Sequence, residues 1–140
     1  MNIDYQTSAY STGGRDGHVQ VENSPIDFEM ALPAGLGGKK LDGVNPEQLF
    51  AAGYAACFGS ALQHVIRVRR LNLPAPDVQA TVGIGRNKAR NFQLEVHLLA
   101  IVDTDDAALA ESITQEAHQV CPYSHATRGN ITVTLESRTR

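Results

Sequence analysis

The chain has 140 residues, of which 42% are hydrophobic, and its formal net charge is −3. This length is typical of a single domain with one core, which we expect over residues 1–140. The small negative charge provides no basic surface for nucleic acid or for an anionic membrane, so neither is expected as a partner.

The first ten residues lack the basic patch and apolar stretch of a signal peptide, so we expect a cytoplasmic, reducing location. In that compartment the two cysteines, Cys57 and Cys121, are expected to be free, catalytic or metal-bound rather than a permanent disulfide. Neither belongs to a C-x-x-C pair, which excludes a thioredoxin-type motif.

Alternating apolar and polar residues predict three short strands near the start of the chain, at residues 3–9, 17–22 and 26–30, in an antiparallel meander. The turn between the first two strands is rich in glycine and carries Arg15 and Asp16. Such a turn is suited to presenting a functional side chain.

A helix is predicted from Asn45 to about Arg70. Asn45 is a good N-cap, Pro46 suits the first helical position and Gln48 can complete a capping box. Residues 49–62 carry no charge, which is typical of a helix buried on all sides, and this run is too short to cross a membrane. Because so small a domain can hardly enclose such a helix, we expect a homodimer that shares it.

The second half of the chain predicts strands at 78–84, 92–102 and 131–135, and an amphipathic helix that begins near residue 104 and ends before Pro122. The residues predicted to face inward are Leu109, Ile113 and Ala117 on the helix, and Phe92, Leu94, Val96 and Leu98 on the long strand. The predicted class is α+β.

Cys57 lies within the apolar helix, where burial would raise the pKa of its thiol. A catalytic thiol there needs a nearby cation to favour the thiolate. Arginine remains charged in apolar surroundings, and a carboxylate can hold it by a bidentate pair. Arg15 and Glu47 are candidates for these two roles. The alternatives are a cysteine that only packs, a solvated turn arginine, and a glutamate favoured by the helix N-terminus.

A zinc site is a competing hypothesis. His118, Cys121 and His125 form H-x2-C-x3-H, and His64 lies one heptad beyond Cys57. Pro122 interrupts the helix that such a set would use, and no C-x2-C pair is present, so we expect no metal. A further alternative is a non-catalytic small-molecule-binding module with an apolar pocket at a dimer interface.

Three segments resemble the organic hydroperoxide resistance (Ohr) branch of the OsmC/Ohr family in order and spacing: GRDG at 14–17, NPEQLFAAGYAACF at 45–58 and VCPYS at 120–124. The resemblance implies an OsmC-like α+β fold, with antiparallel sheets wrapped around central helices in an intertwined, cytoplasmic homodimer. It also implies a peroxidase that reduces organic hydroperoxides, including those of fatty acids. Such an enzyme binds no cofactor and takes electrons from dihydrolipoamide or a lipoylated protein.

The resemblance also assigns roles to four residues. Cys57 would be the peroxidatic cysteine and Cys121 the resolving one. Arg15 would stabilise the thiolate and polarise the peroxide, and Glu47 would position Arg15. Beyond these four, the aromatic side chains on the helix around the thiol are candidates for an apolar substrate wall, with core packing as the alternative for each: Phe50, Tyr54 and Phe58.

Glu47 and Cys57 are ten residues apart on the predicted helix, which corresponds to roughly 15 Å along its axis. One Arg15 side chain can hardly pair with that carboxylate and also contact that sulfur. We therefore expect the Glu47 that serves each Cys57 to come from the partner subunit.

Overall fold

The computed structural model describes residues 1–140. The chain divides into two compact units, Met1–Leu49 and Phe50–Arg140. The expectation of a single domain over residues 1–140 stays a prediction.

The first unit contains a three-stranded antiparallel sheet, β1 (Ala9–Thr12), β2 (His18–Val21) and β3 (Asp27–Glu29), in the order β1-β2-β3. The strand predicted at residues 3–9 is wrong except for Ala9. Ala9 pairs with Val21, the last residue of β2, and the chain turns after it. Before β1, the Ser8 carbonyl still accepts from the Glu22 backbone N–H, but residues 3–8 form no strand and are exposed.

The helix α1 (Pro46–Val68) begins with the predicted capping box. The Asn45 backbone N–H donates to Gln48 Oε1 at 2.9 Å, and the Gln48 backbone N–H donates to Asn45 Oδ1 at 2.9 Å. Two N–H groups that would otherwise lack partners are thereby satisfied, so the prediction of this helix start is confirmed.

One stripe of α1 is buried in the core of the second unit: Tyr54, Phe58, Ala61, Leu62, Val65 and Ile66. Another stripe, with Ala52, Ala56 and Ser60, is exposed. The prediction of burial on all sides is therefore wrong for the single chain. Because α1 runs on to Val68, its length and composition would also suffice to cross a membrane, although a core helix passes the same test. The buried stripe identifies it as a core helix.

The sheet of the second unit contains β4 (Asp77–Arg86), β5 (Phe92–Val102) and β6 (Thr132–Thr139), in the order β4-β5-β6. β4 and β5 are antiparallel, whereas β6 runs parallel to β5. This sheet is therefore mixed, because the chain crosses over through helices before it re-enters as β6. The predicted α+β class is confirmed.

Two helices fill this crossover, α2 (Ala107–Val120) and α3 (Pro122–Thr127). The Asp106 side chain caps α2 by accepting from the Leu109 backbone N–H. Ile113 and Ala117 are fully buried, as predicted. The short helix α3 was not predicted. Cys121 ends α2 and is also the N-cap residue of α3, so the chain turns at this cysteine.

A single apolar core joins α1, α2 and one face of β5. Phe92 is the exception to the predicted inward face, because it is 58% exposed. Its ring lies at the start of β5, where the Arg86 guanidinium stacks over it at 4.1 Å from the ring centroid. This cation–π contact gives an exposed aromatic ring a partner without burying it.

Candidate functional site

The turn that carries Arg15 depends on its glycines. Gly13 and Gly14 have φ angles of 74° and 57°, a left-handed conformation that residues with a side chain rarely adopt. A Cβ on Gly17 would lie 1.8 Å from the Thr12 carbonyl oxygen. The sequence around Arg15 thus builds one tight turn between β1 and β2, with the arginine at its centre.

Arg15 is held by Glu47 through two parallel hydrogen bonds. Its Nη1 donates to Oε2 at 2.8 Å and its Nη2 donates to Oε1 at 2.6 Å. The Arg15 side chain is 38% exposed and the Glu47 side chain 12%. The hydrogen bonds from Arg15 lower the pKa of Glu47 against the opposing effect of burial. The carboxylate therefore stays ionised and fixes the orientation of the guanidinium.

The two cysteines meet in the second unit. The Cys121 thiol donates to the Cys57 sulfur at 3.6 Å, and both cysteines are free. Cys121 is fully buried, whereas Cys57 is partly exposed. A disulfide would need the two sulfurs to approach by about 1.5 Å. A thiol that solvent can reach is thus in direct contact with a second thiol.

The immediate surroundings of Cys57 oppose its ionisation. Burial raises the pKa of its thiol most strongly, and the neighbouring Cys121 raises it further. The nearby Tyr123 backbone lowers this pKa and so acts in the opposite direction. No cation is among the groups that shift this pKa. A reactive thiolate at neutral pH therefore needs a positive charge that these groups do not supply.

A buried polar cluster lies beside the cysteines. Tyr54 Oη is 3.0 Å from Ser124 Oγ and 3.1 Å from Thr127 Oγ1, and His118 Nδ1 is 2.8 Å from Ser124 Oγ. Sequence reasoning missed Ser124 and Thr127 because it took Pro122 only as the end of a helix. Proline is also common at the first position of a helix, which is the signal that would have predicted α3.

The three aromatic residues predicted for a substrate wall differ in exposure. Tyr54 and Phe58 have no exposed surface, so core packing is the favoured role for both. Phe50 is partly buried and packs edge-on against Tyr54, with ring centroids 5.9 Å apart. Tyr123, which was not predicted, is 39% exposed, and its ring centroid lies 6.2 Å from that of Phe50. Phe50 and Tyr123 are therefore the partly exposed rings of this aromatic cluster.

The histidines and cysteines of the predicted zinc alternative do not form a ligand set. No group of three His, Cys, Asp or Glu side chains in residues 1–140 is arranged to hold a metal ion. His118 Nδ1 instead bonds Ser124, and Cys121 contacts Cys57. Burial lowers the pKa of His118, and the nearby Arg128 lowers it further, so this imidazole is neutral at pH 7.

Known proteins are similar in sequence to this chain over nearly its whole length. The model of the OsmC-like protein family matches residues 37–136. The organic hydroperoxide resistance protein of Xanthomonas axonopodis pv. citri is 46% identical over 132 residues, covering 94% of this chain and 92% of that protein. Organic hydroperoxide resistance protein OhrA of Bacillus subtilis is 42% identical over 134 residues, covering 94% of both.

Solved structures agree with the sequence comparisons. The crystal structure of an organic hydroperoxide resistance protein from Elizabethkingia anophelis has a TM-score of 0.93 and 46% identity, and the match covers 100% of both chains. A second structure, from Legionella pneumophila, has a TM-score of 0.91 and 40% identity, covering 98% of this chain and 99% of that one. The predicted resemblance is confirmed, and the chain belongs to the OsmC/Ohr family, among its organic hydroperoxide resistance proteins.

Proposed function

We propose that this chain is a thiol-dependent peroxidase that reduces organic hydroperoxides to alcohols as part of an antioxidant response. The observation that carries the proposal is the 3.6 Å contact between the Cys57 and Cys121 sulfurs, one partly exposed and one buried. An accessible thiol beside a second thiol is suited to a two-electron oxidation, through a sulfenic acid, to a disulfide that a dithiol can reduce again.

The first step takes place at Cys57. Its thiolate attacks the distal oxygen of the hydroperoxide, the O–O bond breaks, and the alkoxide takes a proton and leaves as the alcohol. Cys57 is then a sulfenic acid. In the second step the Cys121 sulfur attacks the Cys57 sulfur and expels the hydroxyl group, which leaves as water with the thiol proton. The product is the Cys57–Cys121 disulfide.

A dithiol then regenerates the enzyme. Dihydrolipoamide, or the lipoyl group of a cytoplasmic lipoylated protein, attacks the disulfide and passes through a mixed disulfide to its own cyclic form. Both protein thiols are restored, and the peroxide's two oxidising equivalents reside in the lipoyl disulfide. The chemistry uses no bound cofactor or metal.

Arg15 is proposed as the cation that the Cys57 thiolate needs, with Glu47 as the residue that orients it. Glu47 is the second residue of α1 and Cys57 the twelfth, so about 15 Å of helix separates them. We therefore propose that Arg15 and Glu47 of one subunit act together on Cys57 of the partner subunit. The exposed stripe of small residues on α1, with Ala52 and Ala56, supports an intertwined homodimer that buries it.

A steady-state assay tests the proposal. The protein should reduce tert-butyl or fatty-acid hydroperoxide with dihydrolipoamide as donor, and it should prefer these peroxides to hydrogen peroxide. Phe50 and Tyr123 would supply the apolar contacts that favour organic substrates. Cys57→Ser should abolish turnover, which separates a peroxidase from a binding module. If the wild-type protein consumes no hydroperoxide with any dithiol, the proposal fails.

A further inference from the structure

The helix α3 begins at the second thiol of the site. Its N-cap residue is Cys121, whose sulfur lies 3.6 Å from that of Cys57. A helix of six residues is too short to be stable by itself, so contacts with neighbouring elements must fix its position.

The Tyr123 ring of α3 packs against the rings of Phe50 and Tyr54, and hydrogen bonds of the buried polar cluster add directional contacts. Ser124 and Thr127 on α3 both bond Tyr54 Oη on α1, which also carries Cys57. Ser124 also bonds His118 on α2. Tyr54 and Ser124 are 0% exposed and Thr127 is 7% exposed, so water cannot replace a lost partner.

The hydrogen bonds of the cluster all run in one direction, because each hydroxyl has only one proton to donate. The Thr127 hydroxyl donates to the Tyr123 carbonyl at 3.0 Å, so it accepts from Tyr54. Tyr54 has then used its only proton and must accept from Ser124. Ser124 in turn must accept from the Nδ1–H of His118. Each hydrogen bond from His118 to Thr127 thus has one donor and one acceptor. No buried side-chain polar atom of the molecule lacks a partner.

We propose that the hydrogen-bonded chain from His118 through Ser124 and Tyr54 to Thr127 positions α3 so that Cys121 can attack the oxidised Cys57. These are positioning residues for disulfide formation, since their side chains hydrogen-bond one another and not a reacting sulfur. As a step in turnover the inference rests on the proposed function. The placement of Cys121 itself can be measured without any peroxide.

The first test is a redox equilibrium on the full-length protein. Wild type and Tyr54→Phe are equilibrated with mixtures of dihydrolipoamide and lipoamide, and the Cys57–Cys121 disulfide is quantified after alkylation of free thiols. Tyr54→Phe removes the shared hydroxyl and should therefore destabilise the protein disulfide. The ratio of dihydrolipoamide to lipoamide at which half of the protein is reduced should be about tenfold lower than for wild type. Thr114→Val is the matched control, because it removes a buried hydroxyl that bonds only the Ala110 carbonyl, and it should behave as wild type.

The second test separates the two chemical steps. In the Cys121→Ser background, Tyr54→Phe should form the Cys57 sulfenic acid at the rate of its parent. With Cys121 present, its disulfide should form about tenfold more slowly, and trapping of the sulfenic acid by dimedone should rise accordingly. His118→Ala should show the same slow step. His118→Asn should restore the rate, because its amide N–H can replace Nδ1–H.

The proposal is overturned if folded Tyr54→Phe matches Thr114→Val in both tests. Should Tyr54→Phe not fold, the His118 variants decide: equal disulfide rates for Ala, Asn and His at this position overturn it. A wild-type protein that forms the disulfide in lipoamide buffer but consumes no hydroperoxide would refute the proposed function alone. The equilibrium shift would then still decide whether the cluster positions Cys121.

Discussion

Arg15 and Glu47 are joined by two parallel hydrogen bonds of 2.8 and 2.6 Å, although 32 residues separate them in the sequence. The arginine comes from a glycine turn and the glutamate from the first turn of α1. This geometry matches a planar guanidinium to a carboxylate and would not accept the point charge of a lysine equally well.

Arg15→Lys should therefore lower kcat/KM for an organic hydroperoxide on the order of 100-fold, because a lysine without the bidentate pair no longer holds its charge where the transition state needs it. Glu47→Gln should cause a smaller loss, because the arginine is retained but held less firmly. The matched control is Arg86→Lys, whose guanidinium stacks on Phe92 and should not influence the reaction. Equal activity of the Arg15 and Arg86 variants in a stopped-flow assay would contradict the assignment.

The pH dependence of Cys57 gives an independent test of the same cation. Burial raises the pKa of this thiol in the chain by itself, and a nearby arginine would lower it. In Arg15→Ala the apparent pKa of Cys57 should therefore be higher than in wild type, by about one pH unit or more. A higher pKa means less thiolate at neutral pH, so the reaction with iodoacetamide should slow there and recover at alkaline pH.

The measurement is the pH profile of alkylation in a Cys121→Ser background, in which Cys57 is the only thiol. Superimposable profiles with and without Arg15 would mean that this residue does not influence the sulfur.

Mixing variant chains tests whether the site is shared between subunits. Chains carrying Glu47→Ala are combined with chains carrying Cys57→Ser, after which the heterodimer is purified. If Glu47 of one subunit serves Cys57 of the other, one site of the heterodimer has both residues and the other has neither. The heterodimer should then have about half of wild-type activity, while both parent homodimers have little. Heterodimers as inactive as their parents would show that each chain uses its own Glu47.

Phe58 and Phe50 should respond differently to truncation because only Phe58 is fully buried. Phe58→Ala should lower the free energy of unfolding by about 3–5 kcal/mol, the usual cost of emptying an aromatic site in a core. Phe50→Ala should cost less stability and should raise KM for bulky hydroperoxides while leaving KM for hydrogen peroxide unchanged. Chemical denaturation and steady-state kinetics together check both. A substrate-selective effect of Phe58→Ala at full stability would reverse the two assignments.

Local signals in the sequence predicted most of the elements. The reciprocal bonds of Asn45 and Gln48 could be read from their spacing, and β5 was predicted over the same residues that form it. Residues 3–8 alternate as a strand would, but alternation cannot reveal where the partner strand ends. The parallel direction of β6 was likewise not predictable, since it depends on the route of the chain through α2 and α3.

Only part of the candidate site could be predicted, because some of its residues have no local signal in the sequence. The cation that a buried thiolate needs made Arg15 and Glu47 candidates, and the motifs that resemble a family then assigned roles to them and to the two cysteines. Ser124 and Thr127 were missed, because a buried hydroxyl acquires its role only from what it contacts. Phe92 was predicted to face inward because it continues the alternation of β5. Alternation does not reveal that the Arg86 guanidinium stacks on this ring.

The most direct test of the peroxidase account is a single-turnover titration of the fully reduced protein. One equivalent of an organic hydroperoxide per chain is added without any reductant, and the alcohol, the remaining thiols and the linked peptides are quantified. The account predicts one alcohol formed and two thiols lost per chain, with Cys57 and Cys121 recovered as one disulfide-linked pair. Unchanged thiols, or alcohol formed equally well by Cys57→Ser, would contradict it.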